Sequence, residues 1–173
     1  MQGQTFWRTV TVDDAGLLDR VLAIIHERKA RYCAIGGVAV NAYVEPVVTL
    51  DLDLVVAIAD RPGVEAALRE SFRVDAFPHS LNVSDPASAL RVQIQTDPRY
   101  SAFIDRAERR SVLGVNLQVA RIEDVLRGKV WAVQDPTRRA SKRQKDLADI
   151  ARLLEHDPGL RSQVPQDVLN KLV

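Results

Sequence analysis

The sequence predicts an α/β (α+β) domain, a mixed sheet flanked by helices with further helices at the C-terminal end. Three observations lead there. Short apolar, β-branched runs alternate with amphipathic stretches of helical period from about residue 13 to about residue 120. Beyond about residue 121 the long apolar patterns keep only the helical period. The chain has 173 residues, 46% of them hydrophobic, with no internal repeat or low-complexity tract, which suits one domain with its own core. We therefore expect a single domain over 1–173, its core about 13–120 and its helical part about 121–173.

The elements follow in order. Leu17, Leu18, Val21, Ile24 and Ile25 recur at helical spacing, predicting an amphipathic helix over 13–29 with Asp13 or Asp14 as its cap. Tyr32-Cys33-Ala34-Ile35 reads as a short buried strand, stopped by Gly36-Gly37. Val38 to Tyr43 can form a short helix before Pro46. Val47 to Ala59, rich in β-branched residues, reads as a long strand. Arg61-Pro62 opens a helix to about Ser71, with Val64, Ala67 and Leu68 on one face. Strands are expected at 72–74 and 90–94, separated by turns at Pro78 and Asp85-Pro86, and a hairpin at 112–117 around Gly114. Helices at 121–133 and 141–155 flank the loop Asp135-Pro136-Thr137, and a short helix follows Pro165.

Composition narrows the function. Cys33 is the single cysteine, which forbids an intrachain disulfide, and its apolar surroundings suit a buried structural thiol. No run approaches the ~20 apolar residues of a membrane span, and MQGQTFWR lacks a signal-peptide core, so a cytoplasmic location and no membrane partner are expected. Twenty-four basic and 23 acidic residues leave a net charge of +1, which gives no global argument for a nucleic-acid partner. His26, His79 and His156 show no metal-ligand spacing, and there is no G-x-S-x-G or Walker motif.

The chemistry-bearing pattern is Thr49-Leu50-Asp51-Leu52-Asp53-Leu54. On a strand, the two aspartates project from one face and the leucines from the other. Two carboxylates one pleat apart repel each other. Water screens them, and a divalent cation compensates them better; Mg²⁺ (or Mn²⁺) suits such ligands when substrate phosphates complete its shell. Alone, the pattern also fits a strand with a solvated outer face. The preceding strand ends in Gly36-Gly37, where backbone N–H groups can approach a phosphate closely at a helix start.

Two later segments add charge. On the helix from Arg121, Ile122, Val125, Leu126, Val130 and Val133 form an apolar stripe, and Lys129 sits in its middle. A lysine there must snorkel, pair with an acid or face a cleft. On the last long helix, Asp146 lies on the border of the buried face. Asp149 is expected further round towards solvent, paired with Lys145 or Arg152. The basic run Arg138 to Lys145 reads as a solvated helix entry; beside a cleft it would instead hold a polyanion such as tRNA.

The segments Ala34-Ile35-Gly36-Gly37-Val38-Ala39 and Thr49 to Leu54 resemble the signature of the nucleotidyltransferase superfamily with the DNA polymerase β-like fold. The spacing looks most like the AbiEii-like toxins of type IV toxin–antitoxin systems and the small antibiotic nucleotidyltransferases. The resemblance covers residues 32–56 and, more weakly, 121–154, including Lys145 to Ile150. It implies Mg²⁺-dependent transfer of a nucleoside monophosphate from an NTP to an acceptor hydroxyl on RNA, protein or a small molecule, with an antitoxin as a further partner. Asp51 and Asp53 would hold the metal, Gly36 and Gly37 the triphosphate, Lys129 a phosphate, and Asp146 would be the late acid. Two departures stand out. The third carboxylate of the superfamily falls at Gln93, and Val47 stands where relatives carry arginine. Gln93 opens the alternative of an inactive binding module, unless Asp97 substitutes as the third acid.

Overall fold

The computed structural model describes residues 16–172, so the caps expected at Asp13 or Asp14 lie outside the described residues. Seven strands form one mixed sheet in the order β3-β4-β5-β2-β1-β7-β6. Helix α1 (Leu17–Glu27) leads to β1 (Tyr32–Ile35), whose four residues are all buried. The short α2 (Gly36–Val40) begins at the glycine pair itself, two residues earlier than the pattern suggested. β2 (Asp51–Val56) then runs antiparallel to β1, with Ile35 opposite Asp53.

The strand expected over 47–59 is shorter than its β-branched composition suggested. Asn41, just after α2, donates from Nδ2 to the Val47 carbonyl at 2.7 Å and accepts from the Val47 N–H at 3.0 Å. That contact removes Val47 from any strand ladder and leaves Val47 and Val48 exposed. The other end stops at Ala57, whose N–H goes to the Arg31 carbonyl while its own carbonyl accepts from Asp60 and Arg61.

After α3 (Arg61–Ser71) come β3 (Arg73–Phe77), β4 (Ser80–Ser84) and β5 (Arg91–Gln95). β4 was not anticipated. Its alternation, Leu81 and Val83 inward, is only two apolar residues deep between turn signals, and it gains its pairing from β3 and β5. β5 also pairs in parallel with β2. A 3₁₀ turn (Pro98–Tyr100) and α4 (Phe103–Arg106) precede the hairpin of β6 (Glu108–Val112) and β7 (Val115–Val119). Its turn residues Leu113 and Gly114 both have positive φ, 51° and 82°, the mirror-image geometry that tight hairpins favour. β7 closes onto β1 in parallel. Helices α5 (Ile122–Gln134) and α6 (Ala140–His156) pack against each other, and a 3₁₀ segment and α7 (Gln166–Leu169) end the described chain. Leu52, Leu54, Val92 and Ile94 are fully buried beneath the strands that carry the polar residues, and Cys33 is buried as expected.

Candidate active site

The alternation of β2 places Asp51 and Asp53 on one face, half-buried, with Leu52 and Leu54 sealed on the other. Both aspartates line a cleft of about 440 Å³ together with Gly36, Gly37, Lys129 and Asp146. Because β1 ends opposite Asp53, the chain must turn immediately there. Gly36 does so with φ +68°, and a Cβ at that position would run into the Asp53 carboxylate. The position of a Cβ on Gly37 is 3.7 Å from Thr49 Oγ1 and 4.0 Å from Lys145 Nζ. The glycine pair, the D-x-D strand and a lysine of α6 therefore meet at one point.

The two aspartates differ electrostatically. Asp51 is paired on both oxygens, with Arg91 Nε at 2.9 Å and Lys142 Nζ at 3.1 Å. For Asp53, burial raises the pKa above the usual carboxylate range; Lys129 opposes this and Asp51 reinforces it. Arg138 and Lys142 also oppose the shift, and burial prevails. Among the described residues no cluster of three or more acidic, histidine or cysteine side chains could hold a metal by itself. Two carboxylates in an open cleft fit Mg²⁺ or Mn²⁺ only when phosphate oxygens supply further ligands.

In the parallel pairing of β2 with β5, Gln93 stands directly beside Asp53. The same row continues across the sheet through Asn82 on β4 to Asp75 on β3, and all four side chains line the cleft. Asp97 does not replace Gln93. It caps the following 3₁₀ turn through the Arg99 N–H at 3.0 Å and pairs with the Arg99 guanidinium. Burial pushes its pKa up, but the hydrogen bonds to Arg99 outweigh that and hold it low.

Lys129 is 7% exposed and its ammonium bridges Asp146 Oδ1 at 3.0 Å and Asp149 Oδ2 at 2.8 Å. Of the three options its position allowed, it pairs with acids at the wall of the cleft. Burial alone would lower its pKa; Asp149 and Asp146 together outweigh burial and raise it. Arg138 makes two bonds to Asp146, at 2.9 and 3.2 Å, and Arg152 holds Asp149 at 2.9 Å. Asp149 was expected towards solvent, yet it is 4% exposed. Its side of α6 turns onto α5, where Lys129 supplies the charge that makes burial tolerable. Its expected partner Arg152 is present. The basic run is likewise not merely a solvated helix entry, since Arg138, Lys142 and Lys145 all line the cleft. Arg91, Asn82 and Asp75 were not singled out from the sequence, and Lys142 only as part of the basic run. The pairing of β3, β4 and β5 brings Asp75 and Asn82 into the Asp53 row and Arg91 beside Asp51, and the packing of α6 brings Lys142 to Asp51.

No family model and no curated protein matches the chain. Solved structures do. The solution structure of the antibiotic-resistance factor ANT(2″)-Ia superposes with a TM-score of 0.59 at 17% identity, over 85% of this chain and 88% of that one. The fold is that of the nucleotidyltransferases. The crystal structure of ANT(2″)-Ia with adenylyl-2″-tobramycin gives 0.56 at 16% identity, over 85% and 96% of the two chains. Lincomycin-bound LnuA, a lincosamide antibiotic adenylyltransferase, gives 0.56 at 12% identity, over 79% and 95%.

Proposed function

We propose that this nucleotidyltransferase-fold chain moves a nucleoside monophosphate from an NTP to an acceptor hydroxyl. The observation that carries the reading is the junction of Gly36, Asp51 and Asp53 in one cleft, with Gly36 packed so closely on Asp53 that only glycine fits. The backbone at Gly36-Gly37 would receive phosphate oxygens, with Lys145 alongside. Asp51 and Asp53 would hold Mg²⁺ or Mn²⁺. When bound, the ion would withdraw charge from the α-phosphoryl group and stabilise the departing pyrophosphate. The acceptor oxygen forms the new bond to the α-phosphorus in line as the bond to pyrophosphate breaks, and the hydroxyl proton passes to water or to the departing pyrophosphate.

The chain's own residues set the limits of this reaction. Gln93, beside Asp53, can orient an acceptor hydroxyl through its amide but takes no proton, so proton removal is weakly supported and turnover is slow. Lys129 and Asp146 would stabilise the wall of the cleft through their mutual pair and act on substrate through Arg138, which Asp146 holds in place. The same Gln93 favours a second reading, a module that binds the nucleotide without transferring it.

The acceptor we put first is a small hydroxylated molecule, because the neighbours named above carry tobramycin and lincomycin. RNA or tRNA, protein, and an antitoxin partner follow from the AbiEii-like resemblance and form separate arms of the test. Among the described residues no helix is long and apolar enough to cross a membrane. The experiment incubates the chain with each α-labelled NTP, Mg²⁺ or Mn²⁺, and pools of aminoglycosides, lincosamides, RNA and protein. Label transferred by wild type and lost in Asp51→Asn and Asp53→Asn supports the enzyme. Binding of Mg·NTP without transfer to any pool selects the binding module, and neither binding nor transfer removes both readings.

A further inference from the structure

Asp51 has a cation on each carboxylate oxygen, one from the sheet and one from α6. Arg91 opens β5 beside Asp51 in the strand register, so its guanidinium crosses one strand spacing to Oδ1. Lys142 reaches Oδ2 from the first turn of α6. The Arg91, Lys142 and Asp51 side chains are 66%, 37% and 25% exposed. Neither cation makes a second ion pair among the described residues. Lys129, by contrast, is sunk between two buried acids and cannot leave without taking a cation from each. Arg91 and Lys142 are thus cleft cations that can change partner at little expense, since exposed pairs hold weakly.

Their destination is near. Lys145 lies one turn beyond Lys142 on α6, beside Gly37, and has no acidic partner among the described residues. α6 therefore presents one ammonium to the aspartate and the next to the glycine turn. A bare dication approaching Asp51 meets two positive charges that already neutralise it. A metal–triphosphate meets the same two charges with phosphate oxygens to offer them.

We propose that Arg91 and Lys142 form a charge gate on Asp51: in the empty cleft they hold off a metal ion arriving alone, and a metal–nucleoside triphosphate draws them from the carboxylate onto its phosphates. This rests on the nucleotidyltransferase reading of the cleft. It gives each of the two residues opposite effects on the free metal and on the metal–nucleotide complex.

The test compares wild type, Lys142→Met, Arg91→Gln and the double variant in two measurements. Free Mn²⁺ is followed by electron paramagnetic resonance without nucleotide. Calorimetry then follows Mg²⁺ with the non-cleavable α,β-methylene analogues of ATP, GTP, CTP and UTP. Each single variant should bind Mn²⁺ alone about 2- to 5-fold more tightly. Each should bind the preferred Mg²⁺–analogue complex about tenfold more weakly. Mn²⁺ affinity unchanged in all three variants, or both affinities moving in the same direction, would overturn the gate. Wild type that binds an analogue tightly, with unaltered affinities in the variants, sinks the gate alone. Wild type that binds none of the four analogues removes the nucleotide reading and the gate with it.

Discussion

Gln93 is the neighbour of Asp53 across the parallel β2–β5 pairing, so a carboxamide stands beside the carboxylate that the proposed function assigns to the metal. The residue is exposed and on the cleft side, which leaves room for an acid. Gln93→Asp should tighten Mn²⁺ binding and raise the rate of label transfer, by about 10²-fold or more if the new carboxylate acts as general base. Single-turnover transfer from the preferred NTP measures it. A rate that stays flat or falls would show that the acceptor hydroxyl does not pass over Gln93.

Lys129→Met reverses an expectation drawn from sequence. A lysine in an apolar stripe suggests that methionine there would be harmless or stabilising. The structure instead gives Lys129 two buried acids, and without the ammonium each keeps only one partly exposed arginine, Arg138 on Asp146 and Arg152 on Asp149. Removing the ammonium should destabilise the fold by about 3 kcal/mol in urea or thermal unfolding. Adding Asp149→Asn to that variant should recover part of the loss. A fully stable Lys129→Met would mean that Asp146 and Asp149 take on water or protons at no cost.

Gly36→Ala carries two penalties, a Cβ against the Asp53 carboxylate and a left-handed backbone at φ +68°. It should lower stability by more than ~1 kcal/mol and displace Asp53 enough to weaken Mg·NTP binding. Gly63→Ala, whose Cβ would meet open space in the first turn of α3, is the matched control and should leave nucleotide binding alone.

The raised pKa of Asp53 has a stability consequence in metal-free buffer. The folded carboxyl holds its proton more tightly than the unfolded one. Its contribution is therefore most favourable below the ordinary carboxylate pKa and is lost as pH rises through the raised folded value. Asp53→Asn should melt a few degrees higher than wild type at neutral pH, with the gap closing towards about pH 3, where both side chains are neutral. Saturating Mg·NTP should narrow or reverse the gap at neutral pH, because wild type binds the complex more tightly and gains more from it. Equal melting temperatures at all pH values would mean that the buried charge is already compensated.

The glycine turn and the D-x-D strand were legible because both are local: strict alternation fixes which face each aspartate takes, and a strand ending in two glycines fixes the turn. Lys129 was legible as an anomaly, a charge in the middle of an apolar stripe, though not its pairing with Asp149. The gaps have a common cause. Asp149 is buried by a charge on a different helix, β4 owes its pairing to both neighbouring strands, and Arg91 and Lys142 reach Asp51 only through sheet register and helix packing. The early end of β2's lead-in depends on one carboxamide, Asn41, gripping both polar groups of Val47. None of these long-range partners leaves a periodic trace in the sequence.

The most direct test of the account is calorimetric titration of Mg²⁺ with each non-cleavable NTP analogue into wild type, Asp51→Asn and Asp53→Asn. The account predicts that wild type binds at least one complex, and that each substitution weakens it by about tenfold or more through loss of a charged metal ligand. Binding of equal strength in all three proteins would contradict it, leaving Asp51 and Asp53 as no more than the polar face of a strand.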